Sequence, residues 1–407
     1  MRNSPLHLYV HIPFCIHKCP YCDFNSHVRQ SPPWTAYQQA LLRELAHWSA
    51  QRQYAGRPIQ TVFFGGGTPS LAPPSLIQSV LETAALLFPV KQDAEITLEA
   101  NPGTAEAERF ANYRNAGINR LSMGVQSFDD KELKWLERIH SGHEAIAAYN
   151  MARNAGFEQI SLDLMYGLPD QSIETWMHHL EQVVSLAPEH VSCYQLTVEP
   201  HTQLAIRHKQ TPFHLPGEDL SLDFLMQTRE RLAQAGYAAY EISNFSKPGM
   251  RCHHNDGYWQ YHDYIGIGAG AAGKWDRPDS GIIRYSNMRS PEAYIKSASE
   301  AGSAINSREQ LSAPQAAAES VWLGLRRTDG ISRHCFNDRF GCDIHELFAS
   351  SLDLWEENGC VERTDTLLKL TAKGLGLADS IAASVLQTVV QKEEDCQSAL
   401  NFEPLRQ

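Results

Sequence analysis

The feature that most constrains the fold is a repeating order of short apolar strands and longer amphipathic helices through the first 243 residues. Apolar residues with a period of two indicate a strand, and a period near 3.6 indicates a helix. Six strand-then-helix units follow one another without a hairpin signal between them. The predicted strands cover residues 6–12, 59–64, 95–100, 118–125, 159–165 and 191–198. Repeated βα units place their strands in a parallel sheet, either doubly wound or curled into a barrel.

Polar residues at the carboxyl ends of these strands favour the barrel. Such residues are the turn 65–68, the segment 99–101, Gln126 and Glu199. Barrels of βα units build their sites at this end, although ordinary turn and cap residues are the alternative explanation. Asp163 lies inside a strand, where a buried carboxylate is costly unless it is paired. We therefore expect Asp163 to have a partner or a ligand.

The alternation of strand and helix patterns ends after about residue 243. Residues 244–275 are rich in aromatic residues, histidine and glycine, which predicts irregular, loop-rich structure. The end of the chain reads as helix, strand, turn, strand and helix, which is similar to a winged-helix unit. Because residues 330–375 carry no cluster of lysine or arginine, a packing domain is favoured over a DNA-binding one.

The predicted division of the chain has four segments. The first is a barrel, the second a connecting region with a candidate ligand motif, the third a small helical domain and the fourth a flexible tail. They cover residues 1–245, 246–310, 311–385 and 386–407.

The charge balance limits the possible partners. The chain has 47 acidic and 35 basic residues, a net charge of −12, which argues against a general nucleic-acid binder because such proteins need a cationic surface. Residues 1–60 differ, with six basic and two acidic side chains, which suits an anionic ligand held there. No apolar run of about 18 residues occurs, and the N-terminus leads into a strand instead of a signal segment. We therefore expect a cytoplasmic protein without a nucleic-acid partner.

Three of the nine cysteines lie within eight residues, on the loop that leaves the first strand. Their spacing is Cys15-x3-Cys19-x2-Cys22. Structural zinc normally takes four ligands, and three nearby histidines keep such a site open as an alternative. Those histidines are His11, His17 and His27. A turning loop can instead place three thiolates on three irons of a [4Fe–4S] cluster, which leaves the fourth iron open.

The longer string Tyr9-Val10-His11-Ile12-Pro13-Phe14-Cys15-x3-Cys19-Pro20-Tyr21-Cys22-Asp23-Phe24 resembles the radical S-adenosylmethionine (SAM) proteins. It is most similar to the branch that contains oxygen-independent coproporphyrinogen III oxidase and the haem chaperones. The resemblance covers residues 5–380, nearly the whole chain. It implies an α/β fold, in which a radical SAM partial (β/α)6 barrel precedes a small, mainly helical, winged-helix-like C-terminal domain.

The resemblance also implies two cofactors, a [4Fe–4S] cluster and SAM. Cys15, Cys19 and Cys22 match the cluster ligands. The positions that match SAM-contacting residues of the family are Tyr9, Gly66, Gly67, Thr68, Glu99, Gln126, Arg138 and Asp163. In chemical terms, a carboxylate accepts hydrogen bonds from ribose hydroxyls, and a guanidinium pairs with a carboxylate.

Two departures separate this chain from the oxidase of the same branch. The oxidase carries a further cysteine two residues after the third, where this chain has Phe24, and it has a longer extension before the motif. The resemblance therefore implies a haem chaperone, with coproporphyrinogen oxidase as the alternative.

A second motif supports the chaperone hypothesis. Residues 252–259 contain His-Asn-x-x-Tyr-Trp, formed by His254, Asn255, Tyr258 and Trp259, which resembles the haem-binding motif of those chaperones. Imidazole is a good axial ligand for haem iron, although packed core histidines or a zinc contact through Cys252 are alternatives. The resemblance implies that haem is passed to acceptor haemoproteins, including membrane-associated respiratory proteins. It also implies that the chain forms a homodimer. The protein would be cytoplasmic and would reach the membrane surface through its partners.

Overall fold

The computed structural model describes residues 5–103, 108–277 and 281–388. Its strands are β1 Leu6–Ile12, β2 Phe14–Cys15, β3 His27–Val28, β4 Ile59–Gly66, β5 Val90–Ala100, β6 Arg120–Gln126, β7 Gln159–Tyr166, β8 His190–Gln195, β9 Ala238–Ala239, β10 Asn244–Ser246, β11 Asp263–Ile267, β12 Ala272–Arg277, β13 Gly281–Asn287, β14 Ile305–Leu311, β15 Ile331–Ser332, β16 Val361–Arg363 and β17 Leu367–Leu370. The six strands predicted from periodicity correspond to β1 and β4–β8, so this prediction is confirmed.

Helices follow most of the parallel strands. They are α1 Trp34–Ser49, α2 Pro74–Leu87, α3 Phe110–Asn115, α4 Asp130–Trp135, α5 Gly142–Asn154, α6 Ile173–Leu186, α7 Gln203–Gln210, α8 Glu218–Gln234, α9 His253–Trp259, α10 Pro291–Ala301, α11 Ala313–Gly324, α12 Arg333–Phe340, α13 Ile344–Leu347, α14 Ala349–Glu357, α15 Ala372–Leu375 and α16 over residues 378–388. None of these described helices is both long and apolar enough to cross a membrane.

The described strands of the main sheet lie in the order β14-β13-β12-β11-β1-β4-β5-β6-β7-β8-β10-β9. Strands β11, β1 and β4 to β8 run parallel, and the strands that flank this set, β12 and β10, run antiparallel to their neighbours β11 and β8. The order is open, so the curled sheet is a partial barrel and not a closed one. The carboxyl ends of seven parallel strands consequently meet at one edge, where a site can be built.

Apolar and polar side chains alternate along the parallel strands, so the sheet has one apolar face and one polar face. In β1, Leu6, Leu8, Val10 and Ile12 are fully buried and belong to the main hydrophobic core. The intervening residues His7, Tyr9 and His11 lie on the opposite face, because successive side chains of a strand point to opposite sides. The apolar face packs against the helices, and the polar face lines the interior of the curled sheet.

The prediction of loop-rich structure over 244–275 is wrong. This segment forms β10, helix α9, β11 and most of β12. Strand β11 pairs in parallel with β1, with Leu8 opposite Ile265 and Val10 opposite Ile267. The local composition of His, Asn and Gly favours loops, but pairing with a strand about 250 residues earlier in the chain overrides that preference. The motif that resembles a haem-binding motif, residues 254–259, therefore lies on helix α9, and the strands on both sides of this helix pair with the main sheet.

The C-terminal part has a hydrophobic core of its own. This core is built on Val321, Phe336, Phe348 and Leu368, and the three strands β15, β17 and β16 form a small sheet against it. The observed order of helices and short antiparallel strands agrees with the winged-helix-like prediction. The predicted flexible tail, 386–407, lies outside the described residues after 388.

Candidate cofactor site

A cavity of about 640 Å³ opens at the carboxyl ends of the parallel strands. Such a volume falls in the range of small-molecule sites. The predicted site residues that line it are Tyr9, Cys15, Cys19, Cys22, Gly66, Gly67, Thr68, Glu99, Gln126, Arg138, Asp163, His254, Asn255 and Tyr258. The structure thus brings together side chains that are up to 249 positions apart in the sequence.

The three cysteines lie on one wall of this cavity, and all three are free thiols. Cys15 belongs to β2, which pairs with β3 and so closes the loop that carries Cys19 and Cys22. Burial raises the pKa of the Cys15 and Cys22 thiols. Thr68 donates a hydrogen bond to Cys15 Sγ at 3.4 Å, which favours the thiolate. The loop therefore presents three sulfur donors to one space.

The donor set suits a cluster better than a single ion. Among the described residues, no three His, Cys, Asp or Glu side chains converge on a point where one metal ion would sit. A [4Fe–4S] cluster distributes its thiolate ligands over separate irons, so its ligands need not converge. Three thiols around one cavity therefore fit an iron–sulfur cluster.

The glycine turn after β4 packs directly against the cysteine loop. A Cβ on Gly67 would lie 2.8 Å from the Phe14 carbonyl oxygen and 3.0 Å from Cys15 Sγ. Gly66 has φ of +119°, and a Cβ there would lie 2.6 Å from the His11 ring. These contacts leave no room for a side chain, so the two glycines allow the loop to approach the sheet.

Glu99 lies beside this turn and accepts a hydrogen bond from the Gly66 backbone N–H at 3.0 Å. Burial raises the pKa of its carboxyl to about 8, and the nearby Asp163 adds to the shift. Glu99 is therefore mostly protonated at neutral pH in the protein without ligands.

The raised pKa of Glu99 predicts a pH effect on stability. The folded chain retains a proton that the unfolded chain loses near pH 4.5, so the stabilisation is complete below pH 4.5 and is lost as the pH rises towards 8. Relative to Glu99→Gln, the wild type should lose about 1 kcal/mol per pH unit in this window and level off above pH 8. Denaturant unfolding at pH 6, 7, 8 and 9 measures the difference. A constant difference between the two proteins would contradict the shift.

Arg138 follows α4 and is partly buried between the cysteine loop and the strands. Its guanidinium donates to Cys19 Sγ at 3.3 Å, to Asn101 Oδ1 at 2.6 Å and to the Gly124 carbonyl at 2.8 Å. Gln126, at the end of β6, has φ of +67° and faces the same space. Arg138 thus connects the cysteine loop to the ends of β5 and β6.

Asp163 has the partners that the sequence led us to expect. Ser122 donates to its Oδ2 at 2.7 Å, and Ser161 donates to its Oδ1 at 2.9 Å. The partly buried carboxylate lines the same cavity as Glu99.

His254 lies at the floor of the cavity and is 1% exposed. Its ring stacks on Phe63 with centroids 4.9 Å apart. Hydrogen bonds join Nδ1 to Thr61 Oγ1 at 2.6 Å and Nε2 to the Tyr258 hydroxyl at 3.0 Å. Burial holds the pKa of His254 well below its usual range, so the imidazole is neutral. The neutral form is the one that can bind iron through nitrogen.

The N-terminus of helix α9 holds the motif in this position. Glu95 accepts hydrogen bonds from the backbone N–H groups of His253 and His254, at 2.9 and 3.0 Å. A carboxylate at a helix N-terminus is also favoured by the helix dipole. Trp259, at the other end of α9, does not line the cavity, and the Arg326 guanidinium lies 5.0 Å from its ring.

Known proteins share both the site-bearing part and the C-terminal part of this chain. Residues 9–183 match the radical SAM superfamily, and residues 311–377 match the HemN C-terminal domain. Heme chaperone HemW of Escherichia coli is 47% identical over 297 residues, or 73% of this chain and 77% of the relative. Heme chaperone HemW of Bacillus subtilis is 35% identical over 380 residues, or 93% of this chain and 98% of the relative. The chain belongs to the HemW family of radical SAM proteins.

The HemW-family fold is similar to that of a solved radical SAM enzyme, coproporphyrinogen III oxidase (HemN) from Escherichia coli. The TM-score is 0.78 at 27% sequence identity, covering 94% of this chain and 90% of that chain. The family and fold that the cysteine string implied are therefore confirmed.

Sequence reasoning missed two polar residues in and beside this HemW-family site, Arg120 and Thr61. Arg120, at the start of β6, is 2% exposed and lines the cavity. Its guanidinium lies near the carboxylates of Glu95 and Asp163. Thr61 does not line the cavity but contacts His254 at 2.6 Å, and it was also missed, although it places a polar side chain inside the apolar strand β4. A polar side chain inside an apolar strand is the signal that identified Asp163.

Proposed function

We propose that this protein is a haem chaperone that binds a [4Fe–4S] cluster, SAM and haem. The observation that carries the proposal is that one cavity is lined both by the three free cysteines and by His254, Asn255 and Tyr258. Two HemW relatives carry the name heme chaperone, at 47% and 35% identity.

The cysteine loop would hold the cluster through Cys15, Cys19 and Cys22. Bound there, the cluster would supply an open iron that the amino and carboxylate groups of SAM could chelate. Tyr9, Gly66, Gly67, Thr68, Glu99, Gln126, Arg138 and Asp163 would bind SAM. The distances support this assignment, because Thr68 and Arg138 touch both a cysteine sulfur and the cavity. A SAM sulfonium near Glu99 would favour the ionised carboxylate.

His254 would bind the haem iron through Nε2, with Asn255 and Tyr258 beside it on the cavity wall. Ligation requires the Tyr258 hydroxyl to release Nε2, which it now contacts at 3.0 Å. Trp259 would act indirectly, by anchoring the end of α9 against Arg326, since it does not line the cavity. Haem would then pass to acceptor haemoproteins, including membrane-associated ones. The family resemblance supports a homodimer in the cytoplasm for this step.

Haem binding tests the proposal through a matched pair of histidines. We expect His254→Ala to weaken haem affinity at least about 10-fold, because the axial nitrogen is lost. The neighbouring side chain of His253 is exposed, so His253→Ala should bind haem like the wild type. Absorbance titration of haem into the three anaerobically reconstituted proteins measures the affinities. Absence of a Soret shift in the wild type would reject the proposal.

Coproporphyrinogen oxidase activity is the second candidate, which the similarity to the HemN structure favours. It predicts oxidative decarboxylation of coproporphyrinogen III by the reconstituted protein with SAM. Product no greater than that of a cluster-free control would exclude this activity.

A further inference from the structure

A line of buried hydrogen bonds leads from the cavity floor through the interior of the curled sheet. It runs from Tyr258 through His254, Thr61 and His7 to His262. The Tyr258 hydroxyl lies 3.0 Å from His254 Nε2, and His254 Nδ1 lies 2.6 Å from Thr61 Oγ1. Thr61 Oγ1 lies 2.8 Å from His7 Nδ1, and His7 Nε2 lies 3.1 Å from His262 Nδ1. These contacts join β1, β4 and the segment of α9 and β11.

The interior members of this line are almost completely shielded from water. His254 and Thr61 are each 1% exposed, and His7 is 4% exposed. Burial lowers the pKa of His7 to about 3 and of His262 to about 4, so the rings are neutral. A neutral imidazole has one nitrogen that donates and one that accepts. The direction of every hydrogen bond in the line is therefore coupled to that of the next.

The line can run in two directions, which differ in the His254 nitrogen that carries the proton. Within the described residues, His254 Nε2 is the one acceptor in hydrogen-bond reach of the Tyr258 hydroxyl. If Tyr258 donates to Nε2, the His254 proton is on Nδ1 and is donated to Thr61. Thr61 then donates to His7 Nδ1, and His7 donates from Nε2 to His262 Nδ1. In this direction the His262 Nε2–H has no acceptor among the described residues, and in the reverse direction the Tyr258 hydroxyl proton has none, so each direction leaves one donor at an end of the line. Only the first direction leaves the Nε2 lone pair of His254 available to a ligand in the cavity.

We propose that Thr61 and His7 are positioning residues that fix the His254 tautomer, so that the Nε2 lone pair faces the cavity and Tyr258 donates to it until a ligand takes its place. The part that concerns haem rests on the proposed function. When haem binds, the iron–Nε2 bond forms and the hydrogen bond from Tyr258 breaks. No electron moves and no proton leaves His254, because its proton stays on Nδ1 towards Thr61.

Substitutions of Thr61 and Tyr258, two residues of the same line, are expected to change haem affinity in opposite directions. Thr61→Val keeps the side-chain volume but removes the acceptor for Nδ1–H, so haem affinity should fall about 10-fold or more. Thr61→Ser restores the hydroxyl and should restore the affinity. Tyr258→Phe removes the competitor for Nε2 and should raise haem affinity several-fold. Tyr264→Phe is the matched control, because the Tyr264 ring packs on Tyr258 with centroids 4.7 Å apart.

Nitrogen-15 NMR of the histidine side chains tests the tautomer in the chain without cofactors. The His254 signal is assigned by its absence in His254→Gln. We expect the proton on Nδ1 in the wild type and in Thr61→Ser, and a shift of population towards Nε2–H in Thr61→Val. A proton on Nε2 in the wild type, or the same tautomer in Thr61→Val, would overturn the proposal.

The haem titrations provide the second readout. Weaker binding by Thr61→Val with tighter binding by Tyr258→Phe supports the proposal, and equal changes in both variants overturn it. If the wild type binds no haem, the proposed function fails, while the NMR result still decides the tautomer.

Discussion

Single replacement of Cys15, Cys19 or Cys22 by alanine is expected to reduce iron from about four atoms per chain to well below one after anaerobic reconstitution. Each sulfur lies on the wall of the same cavity, and a cluster that already leaves one iron without a protein ligand cannot lose another and stay bound. Iron and acid-labile sulfide analysis, with the visible absorbance of the cluster, measures the effect.

Two other cysteines serve as controls for this experiment. Cys193 is buried in β8 and Cys335 is exposed on α12, and neither lines the cavity. Their alanine variants should bind iron and sulfide like the wild type. Full iron content in any of the three loop variants would remove that cysteine from the ligand set, and one zinc per wild-type chain would favour the zinc alternative.

Replacement of Arg138 by alanine is expected to lower the free energy of unfolding of the cluster-free chain by about 3 kcal/mol. The guanidinium satisfies Asn101 Oδ1 and the Gly124 carbonyl and also contacts Cys19 Sγ, so its removal leaves partly buried acceptors without a donor. Arg138→Lys should recover only part of the loss, because an ammonium cannot reproduce the planar fork of donors. Denaturant unfolding measures both variants.

Arg207 provides the control for the effect of Arg138. It forms an ion pair with Glu137 at 2.6 Å, and its side chain is 50% exposed. An exposed pair contributes little, so Arg207→Ala should cost less than about 1 kcal/mol. Equal losses for Arg138→Ala and Arg207→Ala would show that Arg138 does not join the cysteine loop to the sheet.

The sequence is most informative where structure depends on near neighbours. The six parallel strands follow from local periodicity, and the cysteine spacing identified the loop because all three donors lie within eight residues. Glu99, Gln126 and Asp163 could be predicted as neighbours because parallel strands align their carboxyl ends.

The rest depends on contacts between distant parts of the chain. Strand β11 exists because it pairs with β1, and no local pattern reveals that pairing. The surroundings of His254 depend on Thr61, which is 193 residues away in the sequence. Trp259 belongs to the motif by spacing, but the helix α9 turns it away from the cavity. Side-chain direction on a short helix is set by how that helix docks.

Haem transfer tests the central claim most directly. Haem-loaded, cluster-containing protein is mixed with a haem-free acceptor, and the acceptor's absorbance is followed over time, with a passive apo-globin as the reference sink. The account predicts transfer that is faster than spontaneous haem release and that is lost in both His254→Ala and Cys19→Ala. Transfer at the rate of spontaneous release, or transfer unaffected by either substitution, would contradict it.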